Sequence, residues 1–507
     1  MLRRLPLAVA GGAALWLSFP DINLWLMAPL GIALLALSAV GTGLGRGFLL
    51  GFLGGAAWFI PYVSWTGLHV GWLPWFALAF ALAFFVGVFT MSVAALHRRQ
   101  VLLRPVATAL VWTGLEWVRS VAPFGGFPWG RVAFSQADSP LAGLAALGGP
   151  AAVGFAVALI GALLGRAGHA MYRLRPPRAV AVPAVTAVLL LMAPLLIPLP
   201  TDGPSGQFMA IQGNAPQTGL DFNAKRRQIL DNHGRVSELA AAQIASGARP
   251  APDLVVWPEN ASDIDPFLNP DAGAVIDRAV ADLDAPLLVG AVLAGPGEYV
   301  SNTSLLYLPG HGPTQRYVKR RPVPFAEFMP YRDFFRAITR KVDLLERDFV
   351  AGDKVGLMRI PNSQGPTIAA GLGICFEVAI EDVLQEAVHS GANVLIIQTN
   401  NAMFDLSAES AQQLAISRIR AIEFGRSVVH SSNVGISALI TPDGVAHQAT
   451  QMFEPAIIQG RLPLRSELTL AARLGPWPDR LTALVALVLV AAALRPTRRR
   501  GSRQAPR

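Results

Sequence analysis

TIAAGLGICFE, residues 367–377, is an apolar run that ends in a cysteine and a glutamate. Ile, Ala, Leu and Gly without polar alternation fit a strand covered on both faces, as in sheets flanked by helices. The stretch that follows, 378–389, has helical spacing. Working outward, FMAIQGN (208–214), DLVVWPEN (253–260), APLLVGAVL (285–293), SNTSLLYLP (301–309), TQRYVK (314–319) and NVLIIQTNN (393–401) read as further short strands. SVVHSSNVGISALITPDG (427–444) reads as two strands before a Pro-Asp-Gly turn, and AIIQGRL (456–462) as a last one. Helical patterns fall at 222–246, 271–283 and 408–424. Short apolar strands alternating with helices predict one large α/β domain over about 201–475.

The remainder of the chain is of another kind. Of 507 residues, 52% are hydrophobic and only 15% charged, against about 25% charged in ordinary soluble domains. Mean hydropathy is +0.43. That argues against disorder, which requires few apolar residues, and against a fully soluble protein. A membrane span needs about 20 apolar residues, and seven candidates precede the α/β region: 5–20, 24–42, 47–65, 71–96, 102–118, 142–165 and 179–199. An eighth lies at 478–494. Together they predict a membrane domain over 1–200, a final span over 476–494 and a basic tail over 495–507.

The net charge of +9 follows membrane topology better than it follows nucleic acid. With the N-terminus inside, Arg3 and Arg4, Arg46, the Arg98–Arg104 loop, the Arg166–Arg178 loop and the Arg-rich tail all fall on the cytoplasmic side. The other short loops carry little beyond Arg119 and Arg131. Seven crossings then place the α/β domain outside the cytoplasm, with both termini inside. The tail is read first as a topology anchor on anionic lipid and second as a contact for a partner in the same membrane. Trp129 and Trp477 are expected in an interfacial aromatic belt.

Three predicted strand ends carry complementary chemistry. Glu259 closes VVWPEN, Lys319 closes RYVK and Cys375 closes GLGIC. Each alone has an ordinary explanation: a buried small residue, a turn cap, a solvated cation. Together they supply a nucleophile, a proton acceptor and a cation, the set that acyl transfer needs. The thiolate is the attacking species and a free thiol ionises near about 8.5, so a base is required. No histidine falls beside these residues. Nor is there a zinc-type Cys/His cluster, a P-loop or a Gly-rich dinucleotide turn, and no metal or organic cofactor is expected.

WPE, K-x-x-x-V-P-F-x-E and I-C-aromatic-E occur in this order at 257–259, 319–327 and 374–377. On these motifs the chain resembles the nitrilase, or carbon–nitrogen hydrolase, superfamily. More closely it resembles the bacterial apolipoprotein N-acyltransferases, through LEWVRS…GGFPWGRVAFSQAD (115–138), IQGNAPQ (211–217), QTNNAMF (398–404) and RAIEFGRSVVHSSNVGISA (420–438) as well. The resemblance implies an αββα sandwich on a polytopic membrane domain in the bacterial cytoplasmic membrane. It implies Cys375 as nucleophile, Glu259 as general base and Lys319 as the cation on the oxyanion side. Glu327 would orient Lys319 or the incoming amine, Glu377 would hold the cysteine loop, and Phe376 matches an aromatic position. The alternative for both carboxylates is a fixed salt bridge. The donor implied is a membrane phospholipid, and the acceptor a diacylglyceryl lipoprotein with a free α-amine.

Two loops depart from the family pattern: Leu220-Asp221-Phe222, where a Trp is frequent, and Asn400-Asn401-Ala402-Met403-Phe404-Asp405, where Asp, Trp and Gly are frequent. These bear on substrate preference. The aromatic residues of 324–349, Phe328 among them, suggest an arm on the membrane surface. Glu116 and Arg119, at the outer end of a span, are candidates for a head-group contact or a structural pair, and Met403 and Phe328 for lipid contact. Two other functions fit part of the pattern: a membrane-tethered amidase for a small amide, and a non-enzymatic membrane scaffold or transporter with a degenerate domain.

Overall fold

A computed structural model describes residues 3–98, 104–215, 226–362 and 365–495. The basic tail and the departing loop at 220–222 lie outside the described residues. Helices occupy all eight apolar positions: α1 (Leu5–Ser18), α2 (Met27–Ala39), α3 (Leu44–Tyr62), α4 (Trp72–Arg98), α5 (Arg104–Val121), α6 (Ala145–Tyr172), α7 (Pro177–Met192) and, at the far end of the chain, α14 (Trp477–Leu494). Among the described residues, α3, α4, α14 and the Pro140–Tyr172 and Pro177–Leu196 segments are long and apolar enough to cross a membrane; α1 and α2 are apolar but shorter.

Small residues set how closely this bundle packs. A Cβ on Gly12 of α1 would lie 1.8 Å from the Gly54 carbonyl oxygen of α3, and one on Gly31 of α2 would lie 2.7 Å from the Gly11 carbonyl oxygen. Backbones this near leave room for glycine alone, the usual basis of helix association where hydrophobicity cannot drive it. The helix ends alternate. Arg4 donates to the Ser38 carbonyl at 3.3 Å and Arg98 to the Thr42 carbonyl at 3.5 Å, so the start of α1, the α2–α3 turn and the end of α4 share one end. Residues 63–71 and 122–144 share the other, against the α/β domain.

That domain contains β1 (Ser205–Gln212), α8 (Arg226–Ala245), β2 (Leu254–Val256), α9 (Pro270–Leu283), β3 (Leu287–Ala294), β4 (Val300–Leu308), β5 (Gly312–Val318), α10 (Arg332–Ile338), β6 (Leu357–Ile360), β7 (Ile368–Ile374), α11 (Glu381–His389), β8 (Val394–Thr399), α12 (Glu409–Phe424), β9 (Ser427–Ser432), β10 (Ala438–Ile440), β11 (Ala446–His447), β12 (Ala456–Pro463) and α13 (Leu470–Leu474). Among the described residues two six-stranded sheets result, ordered β12-β1-β2-β3-β4-β5 and β11-β10-β9-β8-β7-β6. β1, β2 and β3 run parallel, as do β7, β8 and β9, and the outer strands are antiparallel.

Strand alternation divides the side chains between two layers. Phe208, Ala210, Leu254 and Val256 face the second sheet, meeting Leu372, Ile374, Ile396 and Val429. Met209, Ile211, Val255 and Trp257 point the other way, onto α8 and α9. The outer face of the second sheet, with Leu395, Ile397 and Val428, packs under α11 and α12, and that apolar layer continues without a break into the helix bundle through Phe376, Trp129, Phe134 and Trp112. Sequence reading missed β6, β11, α10 and α13, all of seven residues or fewer.

One expectation is overturned here. Trp129 does not sit in an interfacial belt: it is 1% exposed, donates its indole N–H to Gln412 Oε1 at 2.9 Å and lies parallel to the Phe376 ring, 5.8 Å away. The loop that carries it folds inward between the two halves. Trp477 is 57% exposed, at the start of α14.

The same inward loop holds the last helix. Arg131 donates to Asp479 Oδ2 at 2.8 Å and Oδ1 at 2.7 Å, with both residues 3% exposed. Such a forked pair in a dry junction costs desolvation, yet removing one partner strands the other charge, at about 3–5 kcal/mol. Asp479→Leu is therefore expected to lower the thermal midpoint of the detergent-solubilised protein, and Arg131→Met with Asp479→Leu to recover most of the loss. A single variant that melts with the wild type would show the pair to be inert.

Candidate active site

The three strand-end residues converge. β2 runs into Trp257-Pro258-Glu259, kept in register by the Trp257 N–H donating to the Leu288 carbonyl at 2.8 Å. β3 must pass close by: a Cβ on Gly290 would fall 2.2 Å from the Pro258 carbonyl oxygen, so glycine there lets Glu259 sit where it does. Glu259 is 4% exposed. Its Oε1 accepts from Asn302 Nδ2 of β4 at 2.6 Å, and its Oε2 from the Asn400 backbone N–H, just past β8 in the other sheet, at 2.7 Å.

Lys319 follows β5 and is 1% exposed. Its Nζ donates to Glu327 Oε1 at 2.8 Å and stands 3.6 Å from Glu259 Oε1. Two carboxylates about one ammonium keep Lys319 charged: although burial alone would lower it, the carboxylates of Glu327 and Glu259 carry its pKa above the usual lysine range. Glu327 is anchored in turn by the Val323 backbone N–H, which donates to Oε2 at 2.7 Å.

Cys375 ends β7 with φ +53°, a left-handed conformation that costs a non-glycine residue energy and persists only where surroundings enforce it. A short 3₁₀ turn, Cys375–Ala379, follows at once, so the thiol stands out of the strand line. The enforcing group is Glu377. Its carboxylate, fully buried, accepts the Ile374 N–H at 2.9 Å, the Arg320 N–H at 2.8 Å, the Arg321 N–H at 3.0 Å and the Tyr317 hydroxyl at 3.0 Å. One side chain thus ties the cysteine turn to the segment that carries Lys319.

Burial, then the Glu259 carboxylate, push the Cys375 thiol up, with Lys319 opposing. Burial likewise raises Glu259, against the pull of Lys319. In the resting site the proton belongs on sulfur, with a carboxylate of raised basicity in the same cluster to take it. Glu, Lys and Cys in this arrangement can run nucleophilic acyl transfer: deprotonation, attack, and a cation for the oxyanion.

The remaining sequence candidates fall around this centre. Phe376, next in sequence to Cys375, is buried and stacks on the Trp129 ring. Phe328 sits in the turn that presents Glu327, where its carbonyl accepts the Phe325 N–H at 2.8 Å. Met403 is 37% exposed, in the short turn after β8. Glu116 and Arg119 belong to α5 and direct their bonds at the inward loop. Glu116 Oε1 accepts the Val132 N–H at 2.7 Å, and Arg119 donates to the carbonyls of Phe127 and Gly130 at 3.1 and 2.7 Å; the two charges are 4.0 Å apart. Sequence reasoning missed Asn302, which bonds both Glu259 and Glu327, and Gln413, whose Nε2 lies 3.7 Å from Cys375 Sγ. Neither stands in a motif; both are brought in by tertiary packing alone.

Both halves of the chain are similar to known proteins. Residues 11–163 match the apolipoprotein N-acyltransferase N-terminal domain, and residues 212–467 match the carbon-nitrogen hydrolase family. An apolipoprotein N-acyltransferase of Mycolicibacterium smegmatis is 38% identical over 96% of this chain and 84% of its own length. One of Photobacterium profundum is 30% identical over 96% and 94%. Among solved structures, an amidase from Nesterenkonia sp. aligns with 53% of this chain and 94% of its own at 16% identity and a TM-score of 0.39. With both halves matched in order and over nearly the full length, the chain belongs to the apolipoprotein N-acyltransferase family.

Proposed function

We propose that this enzyme carries an acyl chain from a membrane phospholipid, through a thioester on Cys375, to the free α-amine of an S-diacylglyceryl-cysteine at a lipoprotein N-terminus. The observation that carries the reading is Lys319 gripped between Glu259 and Glu327, 3.6 and 2.8 Å away, in one cluster with the strained Cys375 turn.

Glu259 takes the thiol proton as sulfur attacks the sn-1 ester carbonyl carbon. The oxyanion forms beside the Lys319 ammonium. As the tetrahedral species collapses, the C–O bond to glycerol breaks, Glu259 returns its proton to the alkoxide, and a lysophospholipid leaves. The lipoprotein amine then attacks the thioester carbonyl and gives its proton to Glu259. The C–S bond breaks, and the thiolate recovers that proton. Glu327 fixes Lys319 through the first half and faces the amine in the second. Glu377 holds the cysteine turn.

In this reading the sandwich lies outside the cytoplasm, with eight crossings and both termini inside. Support comes from the grouping of Arg4, Arg46 and Arg98 at the end of the bundle away from the sandwich. Residues 324–349 form an arm toward the lipid surface: Tyr331, Phe334, Ile338 and Leu344 are 74%, 64%, 59% and 56% exposed, and Phe325 packs edge-on against Phe124 of the bundle at 5.4 Å. Both substrates are lipid-anchored, so a membrane-fixed thiol searches in two dimensions and meets the ester in a limited set of orientations. The basic tail meets anionic lipid, and a membrane partner if one is held there.

Intact mass after incubation with defined phospholipid tests the reading. A hydroxylamine-labile acyl adduct is expected on the wild type and not on Cys375→Ser, discharged by a diacylglyceryl-cysteine peptide. Discharge by water alone would make the protein a lipid hydrolase. No adduct on folded protein, with turnover of a small amide, would make it an amidase.

Glu259→Gln is expected to slow adduct formation by about 10²–10⁴-fold. The pH dependence follows from the raised Glu259 carboxyl. The competent form is ionised, so the rate falls as pH drops through a midpoint above the ordinary glutamate value of about 4.3. A limb at or below that value would contradict Glu259 as the base.

A further inference from the structure

Cys375 is the chain's single cysteine, and the group against its sulfur is Gln413, whose Nε2 lies 3.7 Å from Sγ. Gln413 is on the first turns of α12 and fully buried. An amide has a donor end and an acceptor end, and which one faces the sulfur decides its effect. The surrounding bonds favour one answer. A backbone N–H can only donate, and that of Gly435 donates to Ser432 Oγ at 2.8 Å. The Ser432 hydroxyl proton is thereby free to go to Asn401 Oδ1, at 2.5 Å. Asn401 then presents its Nδ2 on the other side, where it donates to Gln413 Oε1 at 2.9 Å and at 2.6 Å to Oε2 of Glu409, a carboxyl that burial pushes up to about 8 and that also acts on Cys375. Thr399 Oγ1 also donates to Gln413 Oε1, at 2.8 Å. With its oxygen occupied twice, Gln413 turns its NH₂ to Cys375.

We propose that Gln413 is a further catalytic residue: its amide N–H, locked in one orientation by the Gly435–Ser432–Asn401 chain, hydrogen-bonds Cys375 Sγ and stabilises the thiolate when it forms and again when it departs from the thioester. A donor strengthens its bond as the acceptor becomes an anion, so the interaction favours the ionised sulfur over the thiol. The tie is a second, independent means of activating the sulfur beside Lys319. It also couples the nucleophile to the bundle, because the adjacent Gln412 accepts the indole N–H groups of Trp65 and Trp129 at 3.2 and 2.9 Å. The proposal rests on Cys375 as nucleophile.

With one cysteine in the chain, iodoacetamide alkylation of the full-length protein in detergent reads this thiol directly, without lipid. Gln413→Leu is expected to move the midpoint of the alkylation-rate profile about one pH unit upward and to slow acyl-adduct formation about tenfold. KM for phospholipid should stay as it was. Gln413→Met, which keeps the side-chain length and removes the amide donor, should shift the midpoint by a similar amount. Gln412→Leu, which disturbs the same turn without touching sulfur, should keep the wild-type midpoint.

A Gln413→Leu protein with the wild-type melting temperature and the wild-type midpoint would overturn the proposal. So would a folded Gln413→Met protein with no shift, should the leucine variant fail to fold, and so would an equal shift in Gln412→Leu. If the wild type takes up iodoacetamide but no acyl chain from phospholipid, the acyl-transfer reading fails instead, and the thiol profile still judges Gln413.

Discussion

The buried carboxylate of Glu377 is the constraint on which the site depends. It accepts backbone N–H groups from Ile374, Arg320 and Arg321 together with the Tyr317 hydroxyl. Tyr317 and Arg320 flank Lys319 at the edge of one sheet; Ile374 precedes Cys375 in the other. Among the described residues no strand pairing joins β5 to β7; elsewhere the two sheets meet through apolar packing and through side-chain bonds such as Gln398 Nε2 to the Trp257 carbonyl at 2.6 Å and Asn433 Nδ2 to the Glu259 carbonyl at 2.7 Å. Four directed bonds on one side chain fix the cysteine turn against the segment that carries Lys319. A φ of +53° at Cys375 is tolerable for the same reason: the turn is held from both ends. A carboxylate with so many donors suits the task better than an amide, which would meet some of those N–H groups with its own.

Glu259 makes the complementary crossing. It leaves the first sheet and takes its Oε2 bond from the Asn400 N–H at the end of β8. Base, cation and nucleophile are therefore each tied to a sheet other than their own, or to a residue that is. Preorganisation of this kind lets the polar groups face developing charge without rearranging at the moment of reaction.

Much of this was legible in the chain. Continuous apolar runs such as GLGIC and LVVW predict strands buried on both faces, and both are. Glu259, Lys319 and Cys375 could be picked out because each follows such a run, and strand ends present reactive side chains. What escaped reading has a common physical origin: contact made across the fold, with no local signature. Gln413 is one of two adjacent glutamines in an otherwise ordinary helix, and its meeting with sulfur depends on how α12 lies across β8 and β9. Trp129 follows a span, the usual position of an interfacial indole, but Gln412 and Phe376 give it a polar partner and an aromatic face inside. Short edge elements such as β6 and β11 have too few residues to show a period.

The pairing of distant segments sets an order on biogenesis. β1, the first strand made, lies against β12, made last, from Ser205 opposite Pro463 to Gln212 opposite Ala456. Asp479 closes onto Arg131, laid down 348 residues earlier. During synthesis the first sheet therefore has an open, apolar edge until the last strand emerges, and the inward loop holds an unneutralised arginine until the final helix arrives. Contacts so far apart in sequence are slow to form, and half-made intermediates with open edges are prone to aggregate. A ribosome stalled anywhere between Gly213 and Pro463 would present the membrane with a bundle joined to an unfinished sandwich. Completion of the enzyme is one late event, in which the last strand and the last helix close both halves together.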